Sequence, residues 1–152
     1  EGNDRSTERG AGMRAARAQA GIALDRRCVQ YGAIDLAAAA AMMRRILALK
    51  KRPTAIVSTN DVFAVGGMIA CREQGVRIPD DLSITGVDNT DLGATQTPGL
   101  TSIRTPIVEI GRAAAEQVIA RLEGRPHVPF QMLPFELVTR GSTAPPRRTK
   151  PA

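Results

Sequence analysis

Residues 55–89, AIVSTNDVFAVGGMIACREQGVRIPDDLSITGVDN, predict a strand, a helix and a second strand. The first four residues are apolar and rich in β-branched side chains, as in a strand covered on both faces. The next three, Thr-Asn-Asp, are all residue types that cap a helix, and Gly75 is expected to end that helix. After the turn Ile-Pro-Asp-Asp, a second strand is expected over 82–87. The stretch therefore predicts two parallel neighbouring strands joined by a helix.

Polar side chains directly follow both of these strands. Asn60 comes just after the first strand, and Asp88 comes just after the second. Open α/β sheets bind ligands at the carboxyl ends of their parallel strands, so we expect these two side chains to share a binding edge. Taken singly, Asn60 is more typical of a helix cap, and Asp88 of a turn residue that accepts backbone N–H groups.

The rest of the chain continues the alternation of helices and strands. Helices are expected over about 4–20, 35–49 and 108–122, and strands over 26–31, 100–104 and 133–139. This order predicts an α/β fold in which helices flank a mostly parallel sheet. Pro129 and Pro134 suggest that the last strand lies at a sheet edge. Residues 1–4 are loop-like, and the proline-rich basic segment 143–152 is expected to be disordered.

Composition and charge limit the classes of function. The net charge of the 152 residues is +6, but Arg147, Arg148 and Lys150 supply part of the excess from the terminal segment. Charge alone is therefore weak evidence for nucleic-acid binding. No apolar run approaches the roughly 20 residues that span a bilayer, so we expect no membrane partner. Cys28 and Cys71 are far apart and not in a metal-binding spacing, which favours reduced thiols in the cytoplasm, whereas a disulfide could form only in an oxidising compartment. We expect neither a metal nor a cofactor.

Catalytic side chains are not evident in the sequence. Asp80 and Asp81 resemble an acid pair, but neighbouring residues point apart and these two belong to a surface turn. His127 is the sole histidine and lies in a proline-flanked loop without a serine or cysteine for nucleophilic work. We therefore expect a protein that is not an enzyme.

Several short segments between residues 5 and 142 have characteristic sequence motifs. They are Arg9-x-x-Gly12, RPTAIV at 52–57, Asn60-Asp61, Gly75 with IPDDLSI at 78–84, GVDN at 86–89, LTSIR at 100–104, and Leu133-Pro134 with ELV at 136–138. Together they resemble the lactose-repressor/galactose-repressor family of bacterial transcription regulators. The resemblance implies two α/β subdomains, as in periplasmic sugar-binding proteins, that close around a small molecule. A helix-turn-helix head precedes them in the family and recognises operator DNA.

The resemblance also implies how the chain divides. Residues 1–142 would be a partial effector- or sugar-binding domain, a three-layer fold of the type I periplasmic-binding-protein-like kind, without the DNA-binding head. Within it, 1–96 would be the C-terminal subdomain lacking its first strand, 100–132 would belong to the missing N-terminal subdomain, and 133–142 would be a returning strand. The helix stripe Gly111, Ala115, Val118 and Leu122 would then have lost its partner and must stay exposed, repack or self-associate.

Three residues match the ligand-binding residues of the family, and two neighbouring positions depart from it. The ligand-gripping arginine falls on Arg9, the asparagine on Asn60 and the aspartate on Asp88. Ile34 occupies the position of a sugar-stacking aromatic in many members, and Ala33 the neighbouring acidic position. The effector, a sugar or a nucleoside-like molecule, therefore stays open.

The remaining expectations also come from the family. It dimerises through the C-terminal subdomain, so a homodimer is expected, and operator DNA would be contacted only through the absent head. The alternative is a fragment of a periplasmic sugar-binding protein of an uptake transporter. An upstream secretory signal would identify the transporter component, and an upstream helix-turn-helix would identify the regulator.

Overall fold

The computed structural model describes residues 4–128 and 130–146, which contain five α-helices and four strands. The helices are α1 (Asp4–Gln19), α2 (Leu36–Leu47), α3 (Asp61–Glu73), α4 (Asp91–Ala94) and α5 (Ile107–Leu122). The strands are β1 (Ala55–Val57), β2 (Ser83–Val87), β3 (Thr101–Arg104) and β4 (Glu136–Val138). The sequence-based expectations for residues 1–3, Pro129 and 147–152 lie outside the described residues.

The four strands form one sheet in the order β1-β2-β3-β4. The first three strands are parallel, and β4 pairs antiparallel with β3, so that Leu137 lies opposite Ile103. α3 connects β1 to β2, and the short α4 lies in the polar connection between β2 and β3. The α/β class with a mostly parallel sheet is therefore confirmed, and β4 lies at an edge as Pro134 suggested.

The core lies between α2, α3 and the central strands. α2 and α3 pack closely because Gly66 has no Cβ, and a Cβ there would meet Ala39 and lie 2.7 Å from the carbonyl oxygen of Leu36. The main cluster of buried residues is Ala40, Met43, Ile46, Ala64, Val65, Met68, Ala70, Cys71, Leu82, Ile84 and Leu100. Met42 and Met43 are buried, as expected of core methionines. This packing holds the first turn of α3 against the sheet.

The strand predicted over residues 26–31 does not form. A short 3₁₀ helix, Arg26–Cys28, occupies this segment, and Asp25 caps it by accepting a hydrogen bond from the backbone N–H of Arg27. An isolated strand leaves its backbone groups unpaired, and β1 is the outer strand on this side of the described sheet. The local hydrogen bonds of the 3₁₀ helix therefore satisfy the backbone instead, and Tyr31 is 81% exposed.

β1 is less covered than its apolar sequence predicts. Ile56 is half-buried, but Val57 is 51% exposed and Ala55 is also exposed. The expectation of cover on both faces is therefore wrong for this strand. The residue pattern shows that a strand can be buried, whereas the neighbouring elements decide whether it is.

Thr143 and Ala144, in the segment expected to be disordered, are hydrogen-bonded and follow the ordered residue Ser142. The Ser142 hydroxyl donates to the carbonyl oxygen of Ile84 at 2.6 Å and accepts from the backbone N–H of Thr101 at 2.8 Å. Beyond it, the hydroxyls of Thr143 and Thr101 are 3.2 Å apart, and the backbone N–H of Ala144 donates to Ser83. These bonds satisfy backbone groups of β2 and β3 in the interior.

α5 agrees with its predicted range, and its apolar stripe is exposed. Gly111, Ala115, Val118 and Leu122 all face solvent, and Leu122 is 81% exposed. Among the residues of α5, Ala120 is the buried one. No helix in the described ranges is long and apolar enough to cross a membrane.

Candidate ligand-binding site at the carboxyl edge of the sheet

The ends of β1 and β2 meet at one edge of the sheet. Val57 lies opposite Thr85 in the parallel register, and the backbone N–H of Ser58 continues the pairing by donating to the carbonyl oxygen of Thr85 at 3.0 Å. Asn60 and Asp88 each follow these paired residues by three positions. The structure therefore brings them to the same edge, as the parallel arrangement predicted.

Arg9 of α1 connects the two strand ends. Its Nη1 donates to the carbonyl oxygen of Thr59 at 2.7 Å, and its Nη2 forms an ion pair with Asp88 Oδ1 at 3.4 Å. The side chains of Arg9 and Asp88 are about one-third exposed, at 30% and 31%. The pair is therefore accessible to a ligand, and solvent weakens its own contribution to stability.

Asn60 caps α3. Its side-chain Oδ1 accepts a hydrogen bond of 2.9 Å from the backbone N–H of Phe63, so the structural interpretation of this residue is confirmed. Capping uses the amide oxygen, whereas the NH₂ group of the same half-buried side chain is a donor that a ligand could use.

Ile34 lies in the irregular segment before α2, and its side chain is 59% exposed. An aliphatic side chain offers no hydrogen bond, so Ile34 is not part of the hydrogen-bonded cluster around Arg9. Its assignment to the ligand site stays a prediction from the family resemblance.

An open groove of about 640 Å³ adjoins Arg9 beneath α5. Its walls are mostly apolar and include Val87, Ile103, Ile110, Phe130 and Phe135, with Arg9 as a charged lining residue. Asn60 and Asp88 do not line this groove. Arg9 is therefore the residue shared by the polar edge and the apolar groove.

Sequence reasoning missed the residues that support the turn at Asp88. Ser102 accepts from the backbone N–H of Asn89 at 3.1 Å, and Arg140 Nη2 donates to Asn89 Oδ1 at 2.8 Å. Asp61, noted in the sequence only as a capping residue, accepts from Ser102 at 2.6 Å and is 1% exposed. A charged residue at the first position of a buried helix is the sequence signal that could have indicated a buried hydrogen-bonding partner.

The acid pair weighed in the sequence belongs to a surface turn. Arg77 donates through Nε to Asp81 Oδ2 at 2.9 Å and lies 3.8 Å from Asp80. His127 is exposed. Burial raises the pKa of the Cys71 thiol to about 11, so this core cysteine is protonated and unreactive near neutral pH. Within the described ranges, no three His, Cys, Asp or Glu side chains are grouped to hold a metal ion.

The chain has relatives among transcriptional repressors. It is 36% identical over 137 residues to the HTH-type transcriptional repressor PurR of Vibrio campbellii, covering 89% of this chain and 41% of that protein. It is 37% identical over 125 residues to the HTH-type transcriptional repressor CytR of Escherichia coli, covering 81% and 36%. The chain therefore spans about two fifths of these curated relatives. Because they are repressors, the alternative of a transporter component is not favoured.

The fold is also similar to that of transcriptional regulators. A sugar-binding transcriptional regulator of the LacI family from Escherichia coli, solved in complex with phosphate, superposes with a TM-score of 0.84 at 32% identity. The superposition covers 92% of this chain and 51% of that one. Residues 1–143 match the family described as periplasmic binding protein-like domain. The chain therefore belongs to the periplasmic binding protein-like domain family, in the form that LacI-family transcriptional regulators contain.

Proposed function

We propose that this chain is the effector-binding part of a bacterial transcription regulator and that Arg9, Asn60 and Asp88 hold the effector. The observation that supports this most directly is the contact of Arg9 with both Thr59 and Asp88. It joins a guanidinium and a carboxylate at the ends of two adjacent strands, directly beside the residue that precedes Asn60, and open α/β sheets bind ligands at such strand ends.

The chemistry of these groups favours a polyhydroxylated or nucleoside-like effector. A guanidinium only donates hydrogen bonds, a carboxylate only accepts them, and an amide does both. Such a set matches a ring that carries several hydroxyl or amino groups. Ile34, with its exposed aliphatic side chain, would add an apolar contact at the rim. The similar Escherichia coli regulator is described as sugar-binding.

The proposed site is half of a cleft. A second subdomain would cover the effector, and closure would shift the population between states with different affinity for operator DNA. In that whole protein, a helix-turn-helix head would contact the DNA, and two copies would associate as a cytoplasmic homodimer. The isolated chain should therefore bind effector weakly, since most of a small ligand's surface is normally buried by its pocket.

Isothermal titration calorimetry with a panel of sugars and nucleosides tests this proposal. In the intact regulator, Arg9→Met should weaken binding of the effector about 10- to 100-fold, the range expected for lost charge-assisted hydrogen bonds. Arg44→Met is the matched control, because Arg44 forms an exposed ion pair with Glu73 at the C-terminal end of α3, opposite to the end that Asn60 caps. Full affinity in the Arg9→Met regulator would refute the site, and sub-micromolar binding by the isolated chain would refute the half-cleft.

A further inference from the structure

Asp88 lies in a turn with an unusual backbone conformation. The φ angle is 102° at Asp88 and 52° at Asn89, and residues other than glycine rarely adopt such positive values. These conformations persist where surrounding contacts hold them, and they are common at ligand sites. The direction of the Asp88 carboxylate therefore depends on what holds this turn.

Asn89 is held on both its backbone and its side chain. Its N–H donates to Ser102 Oγ at 3.1 Å, and its Oδ1 accepts from Arg140 Nη2 at 2.8 Å. Arg140 also donates through Nη1 to the carbonyl oxygen of Leu100 at 2.7 Å. One planar guanidinium thus ties the turn to the start of β3, which a lysine with its single ammonium group does less well.

A buried carboxylate, that of Asp61, supports the same turn from the protein interior. Asp61 Oδ1 accepts from Ser102 Oγ at 2.6 Å, and its Oδ2 accepts from the backbone N–H of Thr90 at 2.6 Å and from the Thr90 hydroxyl at 2.9 Å. Asp61 and Ser102 are each 1% exposed. They are therefore shielded from a molecule bound at the open edge, and they hydrogen-bond to Asn89 and Thr90, the two residues that follow Asp88.

We propose that Asp61, Ser102 and Arg140 are positioning residues, which aim the Asp88 carboxylate at Arg9 and at the effector without touching the effector. Asp88 itself is anchored by one backbone bond, from its N–H to the carbonyl oxygen of Ile103 at 2.8 Å. The bonds to Asn89 and Thr90 hold the positive φ angles of Asp88 and Asn89. The role in effector binding rests on the proposed function, whereas the control of the turn does not.

The test uses the 152-residue chain without ligand and measures the three-bond HN–Hα couplings of Asp88 and Asn89 by NMR. Arg140→Met should change these couplings and shift the guanidinium resonances of Arg9, because Asn89 loses its side-chain anchor. Arg140→Lys should restore them in part. Arg44→Met, which removes an exposed arginine paired with Glu73 at the C-terminal end of α3, should leave both signals unchanged. Ser102→Ala, a smaller change that removes the other anchor, should reproduce the effect of Arg140→Met.

Unchanged couplings and Arg9 resonances in both Arg140→Met and Ser102→Ala, with wild-type circular dichroism, would overturn the proposal. A second measurement connects the turn to binding: in the intact regulator, Arg140→Met should weaken effector binding, and Arg44→Met should not. Full affinity in Arg140→Met despite an altered turn would remove the positioning role. Full affinity in Arg9→Met would instead reject the proposed site while leaving the turn as described.

Discussion

Gly86 in β2 lies against the buried carboxylate of Asp61. A Cβ at Gly86 would meet Asp61 Oδ1 and would lie 2.9 Å from Cδ2 of Leu100. Both neighbours are in the packed interior, so Gly86→Ala should lower the free energy of unfolding by about 1–3 kcal/mol, as overpacking of a core does. Urea denaturation followed by circular dichroism measures this change.

Gly111→Ala in α5 is the matched control, because among the described residues nothing beyond the adjacent residues and the backbone of α5 itself lies within 4 Å of a Cβ at Gly111. There the alanine should raise the free energy of unfolding by roughly 0.5–1 kcal/mol through its higher helix propensity. Opposite signs at the two glycines are therefore expected. A Gly86→Ala chain as stable as the wild type would show that Asp61 can move away from β2 at little cost.

The start of α3 combines a structural role with the proposed binding role of Asn60, and one pair of variants separates them. Asn60→Ala should cost about 1 kcal/mol of stability because it removes the cap to Phe63. Asn60→Asp keeps a good cap and should preserve stability. It nevertheless exchanges the NH₂ donor for an acceptor, so effector binding by the intact regulator should fall. Thermal unfolding and calorimetric titration measure the two effects.

The start of α2 provides the control for that pair. Asp35 caps α2 by accepting from the backbone N–H of Ala38 at 2.7 Å, and its carboxylate is not one of the groups that we propose to hold the effector. Asp35→Ala should therefore lower stability by a similar amount, about 1 kcal/mol, without changing effector affinity. Full effector affinity in Asn60→Asp would leave Asn60 as a cap alone.

Helices whose ends and buried faces are marked by their own residues were predictable from the sequence. The caps Asp35 and Asn60 and the apolar spacing of α2 and α3 are local, so the positions of these helices followed from neighbouring residues. The 26–31 segment differs, because a strand needs a neighbour that its own residues do not reveal. For the same reason the exposure of Val57 and the anchoring of Ser142 could not be predicted.

The candidate site likewise contains residues that the sequence predicted and residues that it did not. Asn60 and Asp88 were expected together because parallel strands end at one edge. The contact of Arg9 with Asp88 spans 79 positions, and that of Arg140 with Asn89 spans 51. No local pattern encodes such pairs. The family resemblance supplied Arg9, whereas Ser102 and Arg140 required coordinates.

One side of the protein is well packed, and the other exposes apolar surface. α2 and α3 cover the central strands, whereas α5 buries Ala120 and exposes its stripe. The segment after α5 adds Phe130, Met132 and Phe135, which are 78%, 82% and 74% exposed. Exposed apolar side chains in this number promote association in water.

The isolated chain should therefore self-associate through this surface as its concentration rises. Val118 lies in the stripe and is 58% exposed, so Val118→Glu should shift the chain toward monomer because association would bury an unpaired charge. Ala37→Glu is the control, since Ala37 is exposed on α2 and the change in net charge is the same. Sedimentation velocity over a concentration series distinguishes the outcomes. Equal loss of association in both variants would assign it to net charge, and a wild-type chain that stays monomeric throughout would show that polar neighbours shield α5 sufficiently.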